Sequence, residues 1–531
     1  MTIKISQIVD ENVSDFLKIF KKSLPFFVLI AIIKKRLLLG GFSMKESKLE
    51  SPRQINVFLA IIPFIVMIFS MYVAVVKFEI DPHVPLILGT ATAAIVALIC
   101  GYKWDSLEEF MYKGIKLALP AVVIIILVGL VIGSWIGGGI VATMIYYGLI
   151  LLNPKYFLVT IMLICALVAL AIGSSWSTMA TIGVAGMGIG MSMGIEPAMI
   201  AGAVISGAYF GDKMSPLSDT TNLAAGLTHV PLFDHIKHMF YTTIPGLIIS
   251  LIVFLIIGLK VIGNETLNDE QVNGMLNAMQ DNFVISPWLF LVPVIVIVLI
   301  VLKMSAAPAL FIGAMLGVLA QVFVQGGSLS TSIDVLTNGY ALESGNESVD
   351  TLFNRGGLLD MMYTVSMTIV AMTFAGIMEY SGMLQSIMNQ ILKIAKGTFG
   401  LISATLASAF FTNATCSEQY ISIVVPSRMY LKSYIDNKLH PKNLSRSLED
   451  GGTLTSVFIP WNTCGVFIYG TLGVYAWDYG PYAILNFSVP IIALILAATG
   501  IGVKYITDSE KEEFLEDIYG SEQAKPASNE L

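Results

Sequence analysis

Charged and reactive side chains are scarce in this chain. Asp, Glu, Lys and Arg make up 13% of its 531 residues, against about 25% in a soluble domain, which excludes an ordinary soluble fold. Only five His and four Cys are present. Cys100, Cys165, Cys416 and Cys464 lie in or beside apolar segments without paired spacing. They read as small buried hydrophobes rather than as disulfides or a metal site. His229, His235 and His238 fall in a polar stretch between apolar runs and are expected in a cytoplasmic loop. No Walker-type phosphate loop occurs, which argues against ATP-driven transport, and no Arg-periodic helix points to a voltage sensor. Without a reactive His, Cys or Ser constellation at membrane depth, an intramembrane enzyme is disfavoured too. The net charge of −7 comes in good part from loops and tail, and it points to no nucleic-acid partner.

Apolar length is what the chain has instead. Hydrophobic residues make up 56% of it, and its mean hydropathy is +0.79. Many runs reach about 18–25 residues, enough to cross a hydrocarbon core of about 30 Å as helices. The clearest apolar stretches, 15–20 residues each, are 57–76, 86–100, 117–132, 156–172, 244–259, 288–302, 361–378 and 484–503. The expected fold is an all-α polytopic membrane protein in a lipid bilayer, with about 11–13 transmembrane segments, some of them broken or re-entrant. The Met-rich run at 187–199 reads as packing. Residues 1–43 are basic and weakly amphipathic, without a cleavage-site pattern, so a signal peptide is not expected. They read either as a genuine extension or as a mis-assigned start, with translation beginning at Met44. Gly40-Gly41 is consistent with a ribosome-binding sequence upstream of that Met.

Two halves match at a fixed offset. KGIKL at 113–117 through GSWIGGGI at 133–140 reads against GGLLD at 356–360 through GIMEYSGM at 376–383. The polar break GSSWST at 173–178 lands on CSEQYI at 416–421 at the same offset of 243 (416 − 173), and Pro216 meets Pro460 at 244 (460 − 216). Pro63 and Pro293 mark the first helices of the halves. Short-loop Lys and Arg counts set orientation. Lys45, Lys48 and Arg53 place the start inside, as do Lys103, Lys113 and Lys116 the next loop. The acidic loops 263–282 and 326–357, the second with only Arg355, read as outside. Residues 428–446, with Lys432, Lys438 and Lys442, read as inside, whereas their counterpart 187–197 reads as outside. Two inverted-topology repeats are therefore expected, at 48–262 and 287–504. They are joined by an extracytoplasmic linker at 263–286 and followed by an acidic tail at 505–531, with both termini cytoplasmic.

Within this apolar frame, polar clusters stand out. GDKMSPLSDTTN at 211–222 places Asp212, Lys213 and Asp219 among hydroxyls and an amide directly after an apolar segment. A carboxylate near the hydrocarbon centre costs at least about 2.5–3.5 kcal/mol, so it is kept where it pairs or carries something. Lys213 reads either as an internal counter-charge or as a side chain snorkelling to the surface. Ser174, Ser175 and Thr178 interrupt an apolar run, and small hydroxyl residues there suit an unwound turn whose oxygens bind a hard cation. In the second half, Asn413, Thr415, Ser417 and Glu418 break another helix, and DGGTLT at 450–455 leads to PWNT at 460–463. Glu418 in such a setting suits a proton carrier, and Glu379, inside an apolar run, is a second candidate proton site. The chain offers no unambiguous buried Arg to receive a substrate carboxylate.

At these motifs the chain resembles the NhaC family of bacterial Na⁺/H⁺ antiporters, which also includes malate–H⁺/lactate–Na⁺ antiporters. The resemblance covers roughly residues 48–505. It implies a multi-pass, ion-gradient-driven carrier of a bacterial inner membrane and does not by itself fix the exchanged solute. Na⁺ and H⁺ are the expected transported ions, with no cofactor; a homo-oligomer stays open. The reading reached here is a secondary active transporter that expels Na⁺ in exchange for H⁺ by alternating access. Asp212 and Asp219 form the coupled ionisable pair. Ser174, Ser175, Thr178, Ser215, Ser218, Thr220 and Asn222 supply neutral oxygens, and Asn413, Thr415, Ser417, Glu418 and Asn462 form the opposite wall. The alternative is a Na⁺- and H⁺-coupled carboxylate or amino-acid exchanger. Changing Asp219 to Asn is expected to abolish exchange while the protein still inserts; full Na⁺/H⁺ exchange by that variant in vesicles would remove Asp219 from the mechanism.

Overall fold

Apolar runs punctuated by Pro, Gly and hydroxyl residues fold here entirely as helices. The computed structural model describes residues 55–78, 81–260, 269–302 and 304–519. The expected extension at 1–43 with its start at Met44, residues 263–268 of the linker and residues 520–531 of the tail lie outside the described residues. The first half contains α1 Val57–Met71, α2 His83–Ile99, α3 Trp104–Gly137, α4 Ile140–Leu151, α5 Pro154–Ile172, α6 Ser175–Thr178, α7 Val184–Ser192, α8 Pro197–Met214, α9 Asp219–Leu227 and α10 Leu232–Lys260. Next come α11 Asp269–Asn282, α12 Leu291–Val301, α13 Ala306–Phe323, α14 Leu329–Asn338, α15 Glu347–Phe353, α16 Met362–Tyr380 and α17 Met383–Ile394. The chain continues through α18 Gly397–Cys416, α19 Gln419–Asp436, α20 Pro441–Leu448, α21 Thr463–Leu472, α22 Ala476–Tyr479, α23 Ile484–Thr499 and α24 Asp508–Tyr519. No strand forms among the described residues; a lone antiparallel bridge joins Leu439 to Tyr505.

Seven of these helices are long and apolar enough to cross a membrane, or nine if each of two sharply bent pairs makes one span. The bends are 87° between α11 and the helical run from Pro287 that contains α12, and 61° at the junction of α22 and α23. The expected 11–13 spans are reached only by adding shorter apolar helices such as α2, α4 and α21. Large apolar side chains cover the outside: Phe58, Ile65 and Phe69 of α1 and Ile248, Ile252 and Ile256 of α10 are exposed, while Ala60 and Met67 of α1 are buried. A surface of that kind is solvated by lipid. The protein is a multi-pass membrane protein.

Local chemistry sets the helix ends. Asn153 accepts from the Lys155 amide at 3.0 Å, with Pro154 at the first helical position of α5, the usual pairing of a side-chain cap with a residue that needs no donor. Pro441 starts α20 in the same way, with His440 Nδ1 accepting from the Lys442 amide at 3.1 Å; Pro197 starts α8 without a side-chain cap. Gly139 and Gly382, both left-handed, precede α4 and α17 at the offset of 243 expected from sequence. Helices from the two halves share one core. Gly114 on α3 and Gly376 on α16 are so close that a Cβ on Gly114 would lie 2.1 Å from the Met372 carbonyl oxygen. The Gly357 amide donates to the Gly129 carbonyl at 2.8 Å.

Four loop expectations are corrected. Lys113 and Lys116, expected in a loop with Lys103, lie on α3, and only Lys103 precedes that helix. The segment 326–357 contains the helices α14 and α15, and the linker contains α11. Residues 187–192 belong to α7, leaving a turn of four residues before α8. His235 and His238 lie in the first turns of α10, not in a loop, and both are buried. The run His235, Ile236, His238 and Met239 forms the inward face of an amphipathic start. His238 shares a hydrogen bond of 3.3 Å with Asn443 Oδ1.

The crossing of α5 and α8 carries the site, and it depends on Gly207 and Gly211. A Cβ on Gly207 would meet the Met162 carbonyl oxygen at 2.1 Å, and one on Gly211 the Ala166 oxygen at 2.2 Å. These neighbours are backbone and cannot swing aside. Gly207→Val is expected to cost about 1–3 kcal/mol from overpacking, read as a lowered unfolding temperature of the detergent-solubilised protein.

Candidate functional site

Two helix breaks face one cavity. In the first, α5 ends at Gly173, in the left-handed region at φ +75, and Ser174 is extended at φ −150. The Ser174 hydroxyl accepts from the Ser177 amide at 3.2 Å and so caps α6. A π-turn, Met179–Gly183, then leads into α7. In the second, α18 ends at Ser417, left-handed at φ +56, and Glu418 is extended at φ −145. Its carboxylate caps α19 by accepting from the Tyr420 amide at 3.3 Å. Left-handed residue, extended residue and capped helix recur in the same order. The match runs from Gly173 to Ser417, an offset of 244 (417 − 173), not to Cys416 as expected, because α18 is one residue longer than α5.

The cavity has a volume of about 650 Å³. Asp212, Asp219 and Glu418 all line it, with Ser174, Ser175, Ser218, Thr220 and Tyr420. One wall is apolar, built by Leu117, Pro120 and Ile124 of α3. Among the described residues that line it, three are acids and none is basic. Asp212, buried near the end of α8, accepts from both the amide and the hydroxyl of Ser175, at 3.0 and 2.6 Å. The first turn of α6 thus meets a carboxylate from another helix, where the free amides of a helix N-terminus favour negative charge. Glu418 accepts from the Thr463 hydroxyl at 2.7 Å. Asp219 is exposed at the first position of α9 and acts electrostatically on Asp212.

The other expected site residues brace these walls. Thr178 donates to the Ser174 carbonyl at 2.9 Å. Ser215 accepts from the Leu217 amide at 3.2 Å, and Asn222 donates to the Pro216 and Ser218 carbonyls at 2.9 and 2.7 Å. Asn413 donates to the Gly452 carbonyl at 2.6 Å, and Asn462 donates to the carbonyl and side-chain oxygens of Asn413, each at 3.2 Å. Thr415 donates back to Phe411 at 2.8 Å. Ser417 is buried beside the break, its carbonyl accepting from the Thr463 amide at 2.9 Å. None of these seven lines the cavity. Glu379, at the end of α16, stands apart from it as well, partly buried and in electrostatic reach of Arg428.

Lys213 resolves to the internal counter-charge. It is fully buried and pairs with Asp450, also fully buried, in the π-turn Glu449–Thr453 that follows α20. Thr242 of α10 donates to the same carboxylate at 3.1 Å. Sequence reasoning noted Asp450 only as part of a motif and passed over Glu449. The cost argument used for Asp212 applies equally to two acids directly before Gly451-Gly452 in apolar surroundings. Buried arginine is present too: Arg446 is fully buried and donates to the Gly502 carbonyl at 3.0 Å, but it does not line the cavity.

The profile of the Na⁺/H⁺ antiporter family matches residues 207–501, and the profile of the C4-dicarboxylate anaerobic carriers matches residues 40–259. The chain is 39% identical to the Na⁺/H⁺ antiporter NhaC of Alkalihalophilus pseudofirmus, over 82% of this chain and 94% of the relative. It is 35% identical to the Na⁺/H⁺ antiporter NhaC of Bacillus subtilis, over 84% of this chain and 99% of the relative. It is also 34% identical to a malate-2H⁺/Na⁺-lactate antiporter of Bacillus subtilis, over 87% and 97%.

Removing either partner of the Lys213–Asp450 pair leaves an uncompensated buried charge. Lys213→Met or Asp450→Asn alone is expected to destabilise the protein by about 3–5 kcal/mol. The double variant is expected to lose less than the sum, which a thermal-unfolding double-mutant cycle in detergent measures.

Proposed function

The chain belongs to the Na⁺/H⁺ antiporter family, and from that membership we propose that it is a secondary active transporter expelling Na⁺ in exchange for H⁺ by alternating access. The observation that carries this reading is the cavity between the two breaks, with three carboxylates and no basic side chain among its described lining residues. Such a wall attracts cations and repels a carboxylate substrate. Asp212, Asp219 and Glu418 bind either protons or Na⁺. Ser174, Ser175, Ser218 and Thr220 offer neutral oxygens beside them, and the last turns of α5 and α18 contribute backbone carbonyls of the kind that coordinate Na⁺ in broken-helix transporters. The Ser175 and Tyr420 amides stabilise Asp212 and Glu418 as anions, so a site that has released its cation is not left with unsolvated charge.

Competition then couples the two ions. External protons displace Na⁺ in the outward state, internal Na⁺ displaces protons in the inward state, and each ion shifts the conformation only through its differential affinity. The recurring order at the two breaks and the Lys and Arg distribution support two inverted repeats with both termini cytoplasmic in a bacterial cell membrane. A carboxylate exchanger is the second reading. It draws on the dicarboxylate-carrier match at residues 40–259 and on the malate–lactate relative.

Everted membrane vesicles from an antiporter-deficient bacterium separate the two. Vesicles acidified by respiration are pulsed with NaCl, KCl, malate or lactate. NaCl alone is expected to alkalinise the lumen, and Asp212→Asn to abolish that response at unchanged protein level. A response only when an organic acid accompanies Na⁺ would move the assignment to the carboxylate exchanger.

A further inference from the structure

Behind Thr220 the cavity wall continues into a second group of buried polar side chains. Glu449, the first residue of the π-turn, is fully buried, and neither carboxylate oxygen has a hydrogen-bond partner among the described residues. The Thr453 and Thr220 hydroxyls stand within reach of it; Thr453 Oγ1 forms no complete hydrogen bond among the described residues, and Thr220 Oγ1 shares one of 3.2 Å with the Ser218 hydroxyl. Lys213 and Asp212 are the charged groups acting on Glu449, one of each sign. Lys213 is committed to Asp450. The positive charge of Arg446 falls on Asp450 as well. Glu449 is thus a buried carboxyl group whose favourable charge partner, Lys213, is already shared with Asp450, on the far side of a residue that lines the cavity. A buried carboxylate that completes no hydrogen bond is costly, and such a group meets that cost by taking up a proton or a cation. Its surroundings are hydroxyl and carboxylate oxygens, the ligand set of a hard cation.

We infer that Glu449 is a second Na⁺-binding carboxylate, which takes the ion with the hydroxyls of Thr220 and Thr453 on the inner side of the cavity wall. The inference rests on the exchange reading above and extends the ion path from Asp212 past Thr220. It gives Lys213 a second part: the ammonium offsets some of the charge on Glu449 while the ion is absent, and Asp450 holds the ammonium when the ion arrives. A purely structural Glu449 would instead be a stabilising member of the ion-pair cluster, indifferent to Na⁺.

The test measures binding of radioactive Na⁺ to the full-length purified protein at one fixed pH, together with the NaCl response of vesicles, for the native chain, Glu449→Gln and Glu449→Asp. Glu449→Gln is expected to raise the half-saturating Na⁺ concentration by about tenfold or more. It is also expected to unfold no lower than the native chain without Na⁺, since a buried carboxyl group that completes no hydrogen bond has been removed. Glu449→Asp is expected to fall between the two in Na⁺ affinity. An unchanged half-saturation in Glu449→Gln overturns the inference. So does a variant that binds Na⁺ normally but unfolds lower in its absence. If Glu449→Gln fails to fold, Glu449→Asp decides: raised half-saturation supports the site and native behaviour overturns it. Silence of the native chain toward Na⁺ takes down the exchange reading itself, a failure distinct from a native response that Glu449→Gln leaves intact.

Discussion

Lys213 and Asp450 meet inside the bundle, both fully buried, and each is tolerable there only because the other is present. Much of the surrounding structure serves that pairing. The Thr221 hydroxyl donates to the Lys213 carbonyl at 3.0 Å, tying α9 to the end of α8. Thr242 brings α10 to the carboxylate. Asp212 is the neighbour of Lys213 in sequence, so the pair also fixes where the last turn of α8 delivers the cavity carboxylate. Neutralised by Asp450, the ammonium does not cancel the negative wall on which cation binding depends.

The two breaks solve one backbone problem with different chemistry. In the first, a glycine takes the left-handed position and a serine the cap; in the second, a serine and a glutamate do so. Glycine enters that region without penalty and serine does not, so the breaks are not mechanically equivalent. The carboxylates differ too. Glu418 belongs to its own break, whereas the first break borrows Asp212 from α8. Any movement of α8 against α6 therefore alters the Ser175–Asp212 contact, while the cap at Glu418 travels with its helix.

Much of this was legible in the sequence because the bilayer makes polar groups conspicuous. The breaks at 173–178 and 413–418 and the carboxylates Asp212, Asp219 and Glu418 stood out as polar groups in apolar runs, and the structure brings all three acids to one cavity. What remained hidden depended on distance or on competing periodicity. Asp450 lies 237 residues from Lys213 and is not its counterpart in the repeat, so no local pattern links them. His235 and His238 were masked by exposed Asp234 and Lys237, which make an amphipathic helix start look like a polar loop. The one-residue slip between the breaks came from the longer α18, and a fixed offset does not reveal it. Asn413, Asn462 and Asn222 match the chemistry of ion ligands, yet they spend their amides on backbone carbonyls, which composition cannot distinguish.

Trp176 lies in α6 immediately after Ser175, lines the cavity and stacks on Phe467 of α21 with ring centroids 4.2 Å apart and an interplanar angle of 12°. An indole in that position is an optical probe built into the protein. Its emission depends on the polarity and hydration of the space that Asp212 and Glu418 share, and its stacking ties that signal to the relative position of the helices after the first break and after Pro460. With six tryptophans in the chain, replacing the other five by phenylalanine would leave a single indole, excited selectively at wavelengths that tyrosine does not absorb, that reports on the cavity in real time without any label attached.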